Sequence, residues 1–344
     1  MNPPHRHSRH HLFEPIGQAG QSAIASSRVG VVGCGALGSR IVELLCRAGV
    51  GSVPNGLLRV IDRDYVEISN LQRQTLFTEE DAAHARPKAT AAARHLQAID
   101  RAVHCEPLVR DLSASNAVRL LEGLDLVVDG TDNFQTRFLI NDVSIHLGVP
   151  WIYGAAVGSR GLMAFVMPGQ TPCLRCYVSS TPMLGTVESC DTAGIITPLP
   201  SVIAGLQVAA ALKWLVEKTF VRGVQTIDLW SNESTFRRLF TETMADPACL
   251  SCGTKNLPSL HEEEHELVTL CGRNSVQITT GDALDLSAVS ARMRTIGTVE
   301  ENEESLTTSI HEGKLTLFRD GRVIVEGTTN PLEARAIVAR YLSG

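Results

Sequence analysis

The sequence carries no strong charge of either sign: 31 Lys+Arg stand against 37 Asp+Glu in 344 residues, a formal net charge of −6. Such a chain has no broad attraction for phosphate backbones or anionic lipid, so nucleic acid and membrane are not expected as partners. It also lacks a clean membrane span. The longest apolar stretch, Leu199–Leu215, contains Pro200, Gln207 and Lys213 and falls short of the ~20 uninterrupted residues a span needs. It reads as a buried core helix. The His-rich start MNPPHRHSRHH contains no apolar h-region, and a cytoplasmic location is expected. Internal repeats and low-complexity segments are missing too. With 44% hydrophobic and 20% charged residues, the composition is that of a globular protein of about two domains.

Cysteine is what the chain has in excess. Nine cysteines, an odd number with no secretory signal, point to metal or thiol chemistry in a reducing compartment. Two C-x2-C pairs stand out, Cys173–Cys176 and Cys249–Cys252, each closely preceded by proline (Pro172, Pro247). Four thiolates suit a tetrahedral, structural Zn2+. A redox reading of the pairs is weaker, because neither is expected to open a helix after a strand as thioredoxin-like motifs do. Cys34 and Cys46 fall on apolar faces and read as core. Cys105 is read as following a strand. Cys271 opens a segment too short for a sulfurtransferase domain with its thiol in a deep loop.

Along the chain, a polar arm (1–27) contains a helical stretch, Gly17–Ser26. A βαβ pattern follows: an apolar strand Arg28–Val32, a glycine turn Gly33–Gly38, a helix Ser39–Ala48 and a strand Leu57–Ile61. A helix starts after Pro87, and the strand Leu124–Val128 leads into Asp129–Asn133. The helix Phe134–His146 and the strand Trp151–Ala155 complete a doubly wound, mostly parallel, Rossmann-like α/β sheet. The strands Leu162–Met167 and Gln225–Leu229 come later. Residues 28–256 form the main domain and 257–270, with the charged run HEEEHE, a linker. Residues 271–344 read as a small α+β domain: strands Ser275–Thr279, Lys314–Phe318 and Arg322–Glu326, and helices Leu286–Ile296 and Pro331–Leu342. His261-Glu262-x-x-His265 matches a metalloprotease spacing formally, but no apolar cleft-forming face surrounds it.

Gly33, Gly35 and Gly38 fit G-x-G-x-x-G between a strand and a helix, a turn that brings backbone N–H groups at a helix N-terminus to a phosphate. Asp62, ending the second strand, can accept hydrogen bonds from ribose hydroxyls. NAD would satisfy these features. It would leave unexplained the charged and polar set Asp64, Asn70, Arg73, Arg86 and Lys88, which suits a triphosphate undergoing cleavage. Asp132, after the Leu124–Val128 strand, suits Mg2+ or, alternatively, a helix N-cap.

These residues carry a resemblance. GCGALGS (Gly33–Ser39), DRDYVEISNLQRQTLF (Asp62–Phe77), RPKA (Arg86–Ala89), DGTDNFQTR (Asp129–Arg137), GAA (Gly154–Ala156), TPCLRC (Thr171–Cys176), CDTAGI (Cys190–Ile195) and CLSCG (Cys249–Gly253) occur in an order that resembles the ThiF/MoeB/HesA adenylyltransferases, relatives of ubiquitin-activating enzymes. The resemblance spans about residues 5–253. It implies ATP-dependent adenylation of the C-terminal glycine of a small ubiquitin-like sulfur-carrier protein ending in Gly-Gly, with a sulfur donor protein downstream. By the same resemblance Gly33, Gly35, Ala36 and Gly38 cradle the nucleotide, Asp62 holds the ribose, and Asn70, Arg73 and Lys88 contact phosphates. Asp132, with Asn133 beside it, binds Mg2+. Cys173, Cys176, Cys249 and Cys252 hold Zn2+, and Cys190 takes up the carrier or its sulfur, although Glu188 and Asp191 beside it would raise a thiol pKa. Arg6-His7-Ser8-Arg9 resembles the family's R-Y-[SN]-R, with His7 in place of Tyr. It implies a homodimer in which Arg9 reaches the partner subunit's ATP. The alternatives are an NAD-dependent oxidoreductase on the same loop and a related tRNA-modifying dehydratase, against which the two C-x2-C pairs argue.

Overall fold

The computed structural model describes residues 6–178, 193–238, 246–261, 267–270, 274–280, 284–301, 305–319 and 321–342. It divides into two units, Met1–Glu262 and Glu263–Gly344. In chain order the first unit contains α1 (Ser8–Leu12), α2 (Gly17–Ser26), β1 (Arg28–Val32), α3 (Gly38–Ala48), β2 (Leu57–Ile61), α4 (Glu79–Ala83), α5 (Lys88–Ile99), β3 (Cys105–Leu108), α6 (Ala117–Leu121), β4 (Leu126–Asp129), α7 (Phe134–Leu147), β5 (Trp151–Val157), β6 (Arg160–Val166), α8 (Leu174–Tyr177), α9 (Pro198–Glu217), β7 (Gly223–Asp228) and β8 (Glu233–Arg238).

Its sheet runs β3-β2-β1-β4-β5-β6-β7-β8, with β3, β2, β1, β4 and β5 parallel and the remaining strands antiparallel. The parallel strands read as continuous apolar runs because both faces are covered. Along β1, Val29 and Val31 point into one core with Ile24, Ile41, Leu45, Leu96 and Ile203. Val32 points into the other with Leu121, Phe138, Ile140 and Trp151. Glycines in the left-handed region close α3 at Gly49 and α7 at Gly148, where a Cβ would be strained. The 20-residue α9 is the one helix among the described residues long and apolar enough to cross a membrane. Its Leu199, Ile203, Ala204, Ala211 and Leu215 are buried in the first core against α2, α3, β5 and β6, as its reading as a core helix requires.

The N-terminal arm is docked rather than loose. Arg6 donates to the Ile99 carbonyl at 2.9 Å and pairs with Asp100 at 3.2 Å. His10 Nδ1 lies 2.8 Å from Gln21 Oε1, and Gln21 Nε2 donates to the Ala48 carbonyl. The arm therefore sits at the C-terminal ends of α3 and α5. Three sequence expectations differ in detail. Cys105 opens β3 instead of following a strand, and the helix expected to end at Ile296 stops at Met293. The edge strand β8 was not anticipated, because every residue of it is exposed and it shows no apolar alternation.

The second unit is a six-stranded antiparallel sheet in the order β11-β12-β13-β14-β10-β9, comprising β9 (Leu267–Leu270), β10 (Ser275–Thr279), β11 (Val299–Glu301), β12 (Ser305–Ile310), β13 (Gly313–Phe318) and β14 (Arg322–Glu326). The helices α10 (Leu286–Met293) and α11 (Pro331–Leu342) pack on it around Val276, Leu306, Leu317, Val325 and Ile337. Within the stretch 257–270, expected as a linker, the described residues on either side of the acidic run belong to ordered elements. A 3-10 turn at Pro258–Leu260 packs on α7, and β9 pairs with β10. The short apolar run LVTL is masked in sequence by the neighbouring acidic run.

Candidate functional site

The strand order reverses between β1 and β4, and ligands of open α/β sheets bind at the carboxyl ends of strands at such a switch point. Two turns meet there. Gly33, at φ +83°, closes the end of β1, and a methyl group on it would stand 2.8 Å from the Gly130 carbonyl. A methyl on Gly38 would collide with the Gly33 carbonyl, and one on Gly130 with the same oxygen. Gly33, Gly38 and Gly130 thus let the glycine turn and the turn after β4 touch through backbone. Gly35 differs: its backbone needs no positive φ, and the nearest atom to an added Cβ is Gln74 Nε2 at 3.9 Å. The fold leaves that space open beside the N-terminus of α3, where a phosphate is favoured. Ala36 follows it, half-buried.

The wall of this space comes from the segment after β2. Asp62, buried, accepts from the Cys34 N–H at 2.5 Å and from the Asp64 N–H at 2.7 Å. Burial pushes its carboxyl above the ordinary range, against the pull of Lys88. Lys88 opens α5 with its Nζ 3.1 Å from Asp64 Oδ2, nearly fully buried. Asn70 is buried in a 3-10 turn and accepts from the Glu67 N–H. Arg73, half-buried, donates to the Ser69 carbonyl at 3.0 Å. Arg86 leaves this set: it pairs with Asp81 at 2.9 Å and Glu80 at 2.8 Å, bracing the chain that enters α5.

The opposite wall is the turn Asp129–Asn133. Asp129 is fully buried, accepts from the Thr131 N–H and hydroxyl, and pairs with Arg137 at 3.2 Å. Arg137 also donates to the carbonyls of Thr131 and Gly154 and lies over the rings of Phe134 and Tyr153. A buried pair earns its place only when its hydrogen bonds are filled, and here they fix the turn. Gln207 of α9 adds a donor to the Asp129 carbonyl at 2.8 Å. Asp132 is left exposed beyond this clamp. It does not cap the following helix; Asn133 does, accepting from the Thr136 N–H at 2.8 Å. Burial works against the charge on Arg63, but Asp111, Asp64 and Asp132 together raise its pKa. Asp132 therefore lies within electrostatic reach of Arg63, in the segment after β2.

Gly33, Gly35, Ala36, Gly38, Asp62, Asn70, Arg73, Lys88, Asp132 and Asn133 thus stand around one switch point. Arg9 does not join them in its own chain. Its arm is held at Ile99 and Asp100, the far end of a 12-residue helix that starts at Lys88 and is about 18 Å long at 1.5 Å per residue. Cys190, Cys271 and His265 lie outside the described residues. Gln74, Asp129, Arg137 and Gln207 were not singled out in sequence. Gln74 lies inside one motif quoted there and Arg137 ends another, and both are buried.

The four paired cysteines come together behind the second core. All four sulfurs lie within 4.8 Å of one another, with Cys173–Cys249 at 3.7 Å, Cys176–Cys252 at 3.4 Å and Cys173–Cys176 at 4.0 Å. A tetrahedral site with 2.3 Å metal–sulfur bonds needs sulfurs about 3.8 Å apart, so the donor set fits a metal. Contrary to the sequence expectation, Cys173 does sit at the start of a helix, the single turn α8. The contact across to the second pair distinguishes this set from an isolated dithiol.

Comparison with known proteins agrees with this geometry. The ThiF family profile matches residues 7–251. A sulfur carrier protein ThiS adenylyltransferase of Bacillus subtilis is 42% identical over 98% of this chain and 99% of that protein. The SAMP-activating enzyme E1 of Haloferax volcanii is 34% identical over 76% of this chain and 93% of its own length. Among solved structures, E. coli MccB with ATP superposes with a TM-score of 0.61 at 20% identity, covering 72% of this chain and 75% of that one.

Proposed function

The chain belongs to the ThiF family, and from that premise we propose that it spends ATP to adenylate the C-terminal glycine of a small ubiquitin-like sulfur-carrier protein ending in Gly-Gly. It is an adenylyltransferase, as are relatives that match it over 98% and 72% of the chain. The observation that carries the reading is the open space over Gly35 at the switch point, with the segment after β2 supplying Asn70, Arg73 and Lys88 and the turn after β4 supplying Asp132 as the groups assigned to it.

The chemistry follows from these groups. A carboxylate oxygen of the carrier's last glycine attacks the α-phosphorus, the bond from α-phosphorus to the β-phosphate oxygen breaks, and pyrophosphate leaves. The attacking carboxylate is already ionised, so no general base is required. The barrier is one of position and like-charge approach. Lys88 and Arg73 lower it electrostatically, and the fork of Arg73 suits phosphate oxygens. Asp62 spends one lone pair of each oxygen on the Cys34 and Asp64 N–H groups and keeps others for ribose hydroxyls. Asp132 would hold Mg2+, which supplies charge neutralisation on the phosphates when bound. The buried Asp129–Arg137 pair holds that aspartate's turn in place.

Further parts of the reading rest on the same resemblance. Zn2+ at Cys173, Cys176, Cys249 and Cys252 is structural, with its shell closed by four thiolates. The active form is a cytoplasmic homodimer in which Arg9 serves the partner's site, and the distance of the arm from its own Lys88 supports this. Cys190 acts after adenylation, on the way to a sulfur donor protein. The ThiS adenylyltransferase match runs through the second unit, which supports a ThiS-like carrier. The NAD and tRNA alternatives give way to the adenylyltransferase relatives. ATP–pyrophosphate exchange with purified ThiS-like carriers tests the whole: exchange that depends on the carrier is expected, and its absence with every Gly-Gly carrier under zinc-preserving conditions would sink it.

A further inference from the structure

Helix α7 carries a fully buried acid that the adenylation chemistry does not use. Asp142 has no exposed surface and collects hydrogen bonds from four places. One carboxylate oxygen accepts from Ser251 Oγ at 2.5 Å and from Asn141 Nδ2 at 3.1 Å. The other accepts from the Ser259 N–H at 2.9 Å and faces Arg175 Nη2 at 3.4 Å. Asn141 turns its own oxygen to the Leu174 N–H at 2.8 Å. These partners are not scattered. Leu174 and Arg175 are the two residues between Cys173 and Cys176, and Ser251 is one of the two between Cys249 and Cys252. Arg175 further donates to Ser259 Oγ at 2.7 Å and stacks over Phe138, 4.3 Å from the ring centre.

We propose that the Asn141–Asp142 pair is the assembly device of the four-cysteine site: it grips the interior of both C-x2-C loops from one helix and sets their sulfurs at metal-binding separation before any metal arrives. Each loop is short, so holding its middle residues holds its two cysteines. A buried carboxylate is costly unless fully hydrogen-bonded, and Asp142 reaches that state only when both loops and the Ser259 turn are docked. Its desolvation therefore acts as a lock on the docked arrangement. The sequence separation of 109 residues between Asp142 and Ser251 means that loop closure is met by protein contacts, and a metal then binds to a prepared set of thiols instead of gathering it. Outer partners of metal ligands tune affinity by about 10- to 100-fold, and this pair belongs to that class although it touches backbone and neighbours of the ligands and not the sulfurs.

The inference rests on the metal reading given above, and the test separates the two. Zinc content of the full-length protein comes first, then zinc affinity by competition with a chromophoric chelator, and melting temperature with and without zinc. Wild-type protein is expected to hold one zinc per chain; a chain that holds none sinks the metal reading and this one with it. Asp142→Ala is expected to weaken zinc affinity about tenfold or more and to shrink the rise in melting temperature that zinc produces, since that rise follows the affinity. A role in packing alone predicts equal losses in the zinc-free and zinc-loaded forms with unchanged affinity, and that result overturns the proposal. Should Asp142→Ala fail to fold, Ser251→Ala removes only the contact to the second loop. It is expected to weaken zinc binding measurably, and unchanged affinity there would count as the same refutation.

Discussion

At the scale of single residues, the glycines where the two turns meet separate into two kinds with opposite expected behaviour. Gly38 and Gly130 are needed by the fold, because a methyl group on either meets backbone. Gly35 is not, since its added Cβ finds no atom nearer than 3.9 Å. Gly35→Ala is therefore expected to keep the melting temperature of the wild type while raising the KM for ATP by about tenfold or more, a methyl group standing where a phosphate must approach closely. Thermal melts beside exchange kinetics check both halves. Asp132 makes the complementary case. It is exposed and does not cap α7, so Asp132→Ala should abolish ATP–pyrophosphate exchange with folding and zinc content unchanged. Cys190→Ala should leave exchange at the wild-type rate and slow only the later transfer; loss of exchange itself would mean that the thiol acts earlier than assigned. Gly33–Gly38, Asp62 and the C-x2-C pairs were legible in sequence because each is a local pattern whose geometry its own neighbours dictate. Gln207 and Asp142 were not, because their meaning lies in partners 78 and 109 residues away.

At the scale of elements, the limits of β1, β2 and α5 could be read directly from sequence, since buried parallel strands announce themselves as apolar runs and Pro87 marks a helix start. The strands β8 and β12 could not. One is wholly exposed and the other has Ser or Thr at four of its six positions, so neither carries an apolar period. The segment that delivers Lys88 shows how an element is held by charge. Asp81 caps α4 through Thr78, pairs with Arg86, and lies 2.6 Å from His95 Nε2 on α5. Burial alone would raise its carboxyl, but the hydrogen bonds from His95, Arg86 and Thr78 prevail and hold it at about 2. A folded value below the unfolded ~3.9 means stability that is complete above that unfolded value and is lost as pH falls towards 2. Asp81→Asn is thus expected to cost on the order of 1–2 kcal/mol at neutral pH, allowing for solvent screening. The difference from wild type should narrow below pH 4. Urea unfolding across that pH range measures it, and a gap independent of pH would show that the charge is not what holds the strap.

At the scale of the whole molecule, the position of the arm bears on the dimer proposed for the active form. Arg6 fastens it to the end of α5 and His10 to Gln21 midway along α2, so the arm is anchored a helix length away from the Lys88 of its own chain. If Arg9 completes a site, that site belongs to another subunit, and a two-fold dimer gives each subunit the arm of its partner. The arrangement can be tested by mixing two inactive variants. Arg9→Ala spoils the arm and keeps the cradle, whereas Lys88→Ala spoils the cradle and keeps the arm. In a mixed dimer the intact arm of the Lys88 variant meets the intact cradle of the Arg9 variant, which restores one site of two. With equal amounts and free subunit exchange, half the dimers are mixed, so about a quarter of wild-type exchange activity should return. Were Arg9 to act within its own chain, every chain in the mixture would lack one of the two groups, and mixing would restore nothing.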